Sequence, residues 1–156
     1  CHIALHWDSG DSKNYDKGCF YISVPEVLKS MEPVASHWQQ HDALGADLVE
    51  GLRGQGVTIY GKGNMSIDLT QTSYSTIPSV DMELGNAYSD HSDAILDQLA
   101  EGLLQGINVY FQQQQDWVER QCIDRRWTSK EIPALPSAAI QRETNLKHPP
   151  YRAYRE

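Results

Sequence analysis

The chain has 156 residues, of which 40% are hydrophobic and 22% charged, with a net charge of −8. This composition predicts one globular domain with an extension and excludes a membrane-spanning protein, since no apolar run is long enough. Through Gln115 there are 5 Lys or Arg against 15 Asp or Glu, whereas the remaining residues carry a net charge of +2. The acidic body argues against nucleic acid as a partner. The basic extension is expected to contact the body or another subunit, or to remain solvated.

The three cysteines, Cys1, Cys19 and Cys122, are too few and too scattered for a disulfide framework or a cysteine-rich zinc module. We expect free thiols, with Cys19 acting as a small apolar residue in a strand. Cys1 leaves several interpretations open: an amino-terminal nucleophile, a lipidated bacterial terminus, or a processing or arbitrary boundary. A processing or arbitrary boundary is favoured over the other two.

The first part of the chain alternates strand and helix patterns. His2–Asp8 is a short, mostly apolar run that ends in a polar loop, and residues 18–24 form a second strand pattern that Pro25 stops. Residues 26–33 predict one short helix. Val34–Arg53 has apolar residues near helical spacing and is the longest predicted helix of this half.

The middle of the chain carries two more strand patterns. Val57–Tyr60 is a short β-branched run between glycines, and residues 62–72 are rich in Ser and Thr, which predicts a loop. Residues 79–84 alternate, with Val80, Met82 and Leu84 on one face and acids on the other, before a glycine that is expected to end the strand. Glu83 then lies near the carboxyl end of a strand, where open α/β sheets place their ligands.

A long helix is predicted to follow, with Ser92 as its N-cap and an apolar stripe that packs on the sheet. The alternation of elements predicts an α/β fold with a mostly parallel open sheet flanked by helices. We divide the chain into a domain of residues 1–115 and a segment of residues 116–156 that is first amphipathic and then extended. Residues 129–156 contain four prolines in a polar stretch, which predicts an arm without its own core.

Several short motifs follow one another in a characteristic order. A strand ending in Ile-x-Leu-His, a polar loop, the strand of residues 17–24, a long helical region and Ile-Pro-Ser-Val-x-Met-Glu-Leu-Gly-Asn follow one another. This order is similar to that of the zinc-dependent N-acetylmuramoyl-L-alanine amidases of the amidase-3 type. The resemblance covers about residues 2–111. It implies that His6 is a zinc ligand and that Glu83 is the catalytic glutamate.

The implied reaction cleaves the amide between N-acetylmuramic acid and L-alanine in peptidoglycan. A zinc ion with three protein ligands lowers the pKa of its bound water to about 7 and polarises the scissile carbonyl. A carboxylate within hydrogen-bond reach takes the proton of the water and passes it to the leaving amine. The resemblance therefore implies Zn²⁺ as cofactor, peptidoglycan as substrate, and a cell-wall, periplasmic, extracellular or phage-associated location.

One departure from the family concerns the other two zinc ligands. In the family they come from a strand ending in Gly-His-Gly and from a following helix, and this chain holds no counterpart before Cys1. The resemblance thus implies an α/β domain that is incomplete at its amino terminus. A companion polypeptide or a cleaved precursor would supply the first part. The alternative is a non-catalytic, amidase-like structural or interaction protein of a phage particle or secretion assembly.

Four further polar residues have open roles. His37 and His41 are four apart, which indicates an exposed polar helix face or, as the alternative, a pair of zinc ligands. His91 is expected to be a surface histidine, with a substitute ligand as the alternative. Asp81 stands where the family is usually apolar, and it is expected either to raise the pKa of Glu83 or to meet a basic residue of the missing part.

Overall fold

The computed structural model describes residues 1–8 and 15–124, with side chains described as far as Trp117. The predicted arm of residues 129–156 and the side chain of Cys122 lie outside this part. The chain divides into two units, Cys1–Gln114 and Gln115–Glu156, and the sheet lies wholly in the first unit. In chain order the elements are β1 (His2–Asp8), β2 (Cys19–Ser23), 3-10 turns at Glu26–Leu28 and Val34–Ser36, α1 (Trp38–Gly54), β3 (Ile59–Ser66), α2 (Thr70–Ser73), β4 (Ser79–Asn86) and α3 (Asp93–Asp124).

The four strands form one open sheet in the order β1-β4-β2-β3. β1 pairs with β4 and β2 pairs with β3 in parallel, whereas the central pairing of β2 with β4 is antiparallel. The predicted fold class is confirmed: the chain is α/β, with a mostly parallel open sheet flanked by helices. The first strand therefore lies at an edge of the sheet, next to the strand that carries Glu83.

The core lies on one face of the sheet and follows the alternation predicted for β4. Val80 and Met82 are fully buried there. Apolar side chains of α1 and α3 pack against them, and the buried cluster consists of Cys19, Tyr21, Leu44, Leu48, Val49, Leu52, Val80, Met82, Leu99, Leu103 and Tyr110. The two helices approach closely at Gly102 and Gly106, where an added Cβ would lie 2.8 Å from Leu52 Cα and 2.5 Å from Leu48 Cα. These two glycines let the backbones of α1 and α3 approach closely.

The third strand is longer than its sequence predicts. β3 runs to Ser66, and α2 begins at Thr70, so the predicted loop of residues 62–72 is wrong for most of its length. Its residues pair with β2 in parallel, with a register shift near Tyr21. Gly63 makes this possible, because it has φ +94° and leaves room for Val49, which would lie 2.5 Å from an added Cβ. The hydrogen bonding of β3 to β2 therefore determines the structure of this segment more than its loop-like composition does.

The end of β4 and the region before α1 also differ from the prediction. β4 continues through Gly85, whose φ of +146° coincides with a register shift against β1, so this glycine marks a bulge and not the end of the strand. The predicted helix of residues 26–33 is only a 3-10 turn over Glu26–Leu28. A second 3-10 turn follows Pro33, and α1 begins at Trp38.

Within residues 1–8 and 15–124, no helix combines the length and apolar character needed to cross a membrane.

Candidate functional site

His6 and Glu83 are paired across the parallel strands β1 and β4. Directly paired residues of neighbouring strands project from the same face of a sheet, so the imidazole and the carboxylate share one face. The opposite face of the sheet carries the alternate residues Val80 and Met82, which are buried in the core beneath α1 and α3. The structure thus brings together the two residues that the sequence singled out.

The carboxylate of Glu83 is partly buried beside an apolar floor. Its antiparallel partner on β2 is Phe20, which is 1% exposed and packs on the ring of Tyr60 at 5.3 Å. Among the described residues, the buried Oε2 atom of Glu83 has no hydrogen-bond partner. Burial raises the pKa of Glu83, and the charge of Asp8 adds to this effect. A carboxyl group in this setting holds a proton more readily than an exposed glutamate.

A second carboxylate lies on the same face, two residues earlier in β4. Asp81 is 3% exposed, and the side-chain amide of Gln71 in α2 donates to both of its oxygens at 2.9 and 2.8 Å. Its Oδ1 lies 4.0 Å from Nε2 of His6. The charge of Asp81 also raises the pKa of Glu83, which was one of the two expectations stated for Asp81. Among the described residues, Gln71 donates the hydrogen bonds that Asp81 accepts.

A salt bridge borders the site on the loop side. Lys17 Nζ lies 2.6 Å from Asp8 Oδ2, with both side chains mostly buried. The same ammonium lies 5.2 Å from the ring centres of Phe20 and Tyr60. Its charge lowers the pKa of Glu83 and partly offsets burial. The ammonium therefore belongs to the electrostatic environment of Glu83.

Sequence reasoning missed Asp8, Lys17 and Gln71 as parts of this site. Alternation along β1 could have indicated Asp8, because it lies two residues after His6 and so on the same face. Gln71 carried no such signal, since its segment was predicted to be a loop. Lys17 directly precedes β2 in the sequence. It lies near the site because β2 is next to β4 in the sheet, and local sequence does not show this strand order.

The described residues do not by themselves form a zinc site. No group of three or more His, Cys, Asp or Glu within the described ranges is placed to hold a metal ion. The His6 side chain is 49% exposed and faces Asp81, while both oxygens of Asp81 already accept hydrogen bonds from Gln71. A structural or catalytic zinc site needs at least three protein ligands. His6 would be one, and this part of the chain does not complete the set.

Of the other two histidines of interest, His37 immediately precedes α1 and His41 lies within it. The prediction of an exposed face is wrong for His41, which is 3% exposed. Its Nδ1 accepts a hydrogen bond from Ser79 N at 3.0 Å, and its Nε2 lies 3.2 Å from Ser75 O. Both ring nitrogens are thus used to join α1 to the start of β4, which leaves none for a metal. Burial lowers the pKa of His41.

His91 and Cys19 make their contacts with residues other than His6 and Glu83. His91 is exposed, its ring contacts that of Trp7 at a tilt of 57° with ring centres 4.2 Å apart, and its Nε2 lies 3.2 Å from Asn86 O. Cys1 and Cys19 are free thiols, as predicted. Cys19 is buried and donates to Leu84 O at 3.1 Å. Burial raises its pKa to about 12, so it is not a reactive thiolate near neutral pH.

Comparison with known proteins places this geometry in a known fold. No protein-family model matches the sequence, and no curated protein matches it. The structure is similar to the apo form of the N-acetylmuramyl-L-alanine amidase Ami1 from Mycobacterium abscessus, with a TM-score of 0.56 and 19% identity over 70% of this chain and 53% of that chain. It is also similar to Ami1 from Mycobacterium smegmatis, with a TM-score of 0.54 and 17% identity over 69% of this chain and 52% of that chain. The chain spans about half the length of both solved amidases and shares their fold over that part.

Proposed function

We propose that this chain carries the catalytic glutamate of a peptidoglycan hydrolase that cleaves the amide bond between N-acetylmuramic acid and L-alanine. The pairing of His6 with Glu83, on a fold similar to that of two N-acetylmuramyl-L-alanine amidases, carries the proposal. The proposed substrate places the protein at the cell wall, in the periplasm, outside the cell, or with a phage.

Glu83 is the proposed general base. A general base works best when its pKa lies near the working pH, and burial moves the pKa of Glu83 upward in that direction. Its Oε2 has no partner among the described residues and is therefore available to accept the proton of an attacking water. The protonated carboxyl would then donate the same proton to the nitrogen of the leaving alanine, which breaks the amide.

The proposal includes zinc, with His6 as one ligand. When bound, zinc polarises a carbonyl and activates water. Since the described residues do not complete its ligand set, the other ligands would come from a companion polypeptide that carries the first part of the domain, or from a longer precursor. His6 is half exposed on a strand at the sheet edge, which leaves it accessible to such a partner.

The second candidate function is a non-catalytic structural or interaction protein with an amidase-like fold, in a phage particle or secretion assembly. The incomplete ligand set within the described ranges favours it. Zinc content separates the two candidates. One zinc per chain in the purified native complex would favour the hydrolase, and a complex free of zinc that cleaves nothing would favour the structural role.

The hydrolase proposal is tested by the identity of the bond cut. The native complex is incubated with purified muropeptides, and the products are analysed by mass spectrometry. We expect peptides with a free L-alanine amino group and glycans with a free lactyl carboxylate. Intact-mass analysis of the same sample is expected to show a companion fragment that contains Gly-His-Gly. Cleavage only within the glycan or only between peptide residues would overturn the proposed reaction.

A further inference from the structure

We propose that the ring of Tyr60 is the surface on which the sugar ring of the muramoyl group lies when the scissile amide is at Glu83. The inference rests on the proposed hydrolase function, because it assigns a residue to one part of that substrate. Tyr60 is in β3, and Glu83 lies two strands away, since the sheet order here is β4-β2-β3. Neighbouring strands are about 4.8 Å apart, so these two strands are separated by about 10 Å. A muramoyl sugar with its lactyl arm can span this separation.

An irregularity in β3 directs Tyr60 toward the face that carries Glu83. Between two successive residue pairs of β2 with β3, β2 has only Phe20, whereas β3 has residues 60–63. Phe20 is also the residue of β2 that pairs with Glu83, so the two project from the same face. Extra residues in one strand bend it and re-aim its side chains. The ring of Tyr60 accordingly lies against that of Phe20, with ring centres 5.3 Å apart.

The Tyr60 ring is held in position by two neighbours. The buried ring of Phe20 packs against it at a tilt of 51°. The ammonium of Lys17 lies 5.2 Å from the centres of both rings, at a distance where a cation is attracted to an aromatic ring. The carboxylate of Asp8 fixes that ammonium at 2.6 Å. A ring that is already fixed binds a ligand with little loss of conformational entropy.

The Tyr60 ring remains accessible to a ligand. Tyr60 is only partly buried, whereas Phe20 beside it is buried. Gly61 follows Tyr60 directly, and an added Cβ there would meet nothing within 4 Å among the described residues. The helices α1 and α3 pack on the opposite face of the sheet and do not cover the ring. Tyr60 therefore borders open space on the side of Glu83.

The charges around Tyr60 favour the sugar arm of the substrate over its peptide arm. A peptide arm carries at least one carboxylate, and the nearby ammonium of Lys17 already pairs with Asp8. Asp81 and Glu83 add negative charge to the same face. An amide-linked muramoyl sugar is neutral, and the C–H bonds on one face of its ring pack well against the negative face of an aromatic ring. The neutral sugar is thus the part of the substrate that Tyr60 fits.

An NMR titration of the full chain tests the proposal without any cleavage. The probe is N-acetylmuramic acid whose lactyl carboxyl is capped as a methylamide, and the tyrosine rings of the protein are isotope-labelled. We expect the ring signals of Tyr60 to shift, while those of Tyr74, which is 41% exposed at the end of α2, stay unchanged. Tyr60→Ala is expected to raise the dissociation constant of the probe about two- to ten-fold. Tyr60→Phe, which keeps the ring, and the control Tyr74→Ala should bind as the unsubstituted protein does.

The kinetics of the native complex separate the sugar arm from the peptide arm. Two substrates are compared: a muropeptide, and the same peptide with only a lactyl group on its L-alanine. Tyr60→Ala is expected to raise KM for the muropeptide about two- to ten-fold and to leave KM for the lactyl peptide unchanged. An equal rise for both substrates would place Tyr60 against the lactyl group or the peptide, and would overturn the assignment to the sugar.

The titration of the unsubstituted protein needs no variant to fold. Unshifted Tyr60 signals at saturating probe would overturn the proposal, because Tyr60 and its neighbours all belong to this chain. Weakening by Tyr60→Phe equal to that by Tyr60→Ala would also overturn it, since the hydroxyl and not the ring would then carry the binding. A complex that binds the probe through Tyr60 but leaves muropeptides uncut would support the sugar contact and contradict the proposed hydrolysis. The failure of either proposal is therefore recognisable by itself.

Discussion

His6 and Glu83 lie opposite each other on neighbouring parallel strands, 77 positions apart in the chain, and share the face of the sheet that is not covered by α1 and α3. β1 supplies the imidazole from the edge of the sheet, and β4 supplies the carboxylate from the next position inward. The carboxylate is therefore the more buried of the two groups. The proposed hydrolysis depends on this arrangement, in which a partly desolvated carboxylate lies beside an accessible imidazole.

Replacing Gly106 by alanine is expected to destabilise the protein. Alanine is the better helix former by about 1 kcal/mol, yet its Cβ would lie 2.5 Å from Leu48 Cα and force α1 and α3 apart. Overpacking of this kind costs about 1–3 kcal/mol. Urea denaturation measures the difference. Gly54→Ala is the control, because its Cβ would meet only Gln105 Oε1 at 3.8 Å. Equal stability of the two variants would contradict the close packing of the helices.

His41 is expected to make stability depend on pH. Burial lowers its pKa in the folded protein below the unfolded value near 6.5, so the unfolded chain binds the extra proton first as pH falls. Its contribution is fully present above pH 6.5 and is lost as the pH falls toward the folded pKa. We expect urea denaturation to show a lower free energy of unfolding at pH 5 than at pH 7.5.

The variant His41→Gln should remove this part of the pH dependence while lowering stability at both pH values. The loss of two hydrogen bonds and a buried ring is expected to cost about 1–3 kcal/mol. If the difference between pH 5 and pH 7.5 were unchanged in the variant, the pH dependence would have to come from another group.

Asp81→Asn is expected to shift the pH profile of hydrolysis to lower pH. Asp81 raises the pKa of Glu83, so removing its charge lets Glu83 ionise earlier as pH rises. Asparagine can still accept from Gln71, which limits the structural change. The measurement is kcat/KM against pH for the native complex. An acidic limb that moves to higher pH, or does not move, would show that the charge of Asp81 does not act on Glu83.

The fold was largely predictable from local patterns. Alternation marked Val80 and Met82 as core, and the strand pattern of residues 2–8 matched β1 in its bounds. Elements that bury one face can be recognised in the sequence, because every second residue of such a strand, or every third to fourth residue of such a helix, is apolar. The family resemblance also implied that His6 and Glu83 belong to one site, and their pairing across β1 and β4 agrees with that implication.

The parts that could not be predicted depend on contacts between distant segments. β3 extends into a glycine-rich segment because β2 offers it backbone partners, and local composition does not record that pairing. The burial of His41 depends on Ser75 and Ser79, which meet it only after folding. In the same way, the neutral partner of Asp81 is an amide from α2 that no spacing rule would have assigned.

The most direct measurement is the rate of muropeptide cleavage by the native complex that carries Glu83→Gln, compared with Glu101→Gln. Glu101 is an exposed glutamate of α3 that accepts a hydrogen bond from Gln105, so its variant controls for the chemical change alone. We predict that Glu83→Gln lowers kcat about 10²–10⁴-fold, the range lost with a general base, while Glu101→Gln cleaves at the unsubstituted rate. Both variants should retain the unsubstituted fold, seen as unchanged circular dichroism. Cleavage by Glu83→Gln at the rate of Glu101→Gln would contradict the central claim that this carboxylate takes the proton of the attacking water.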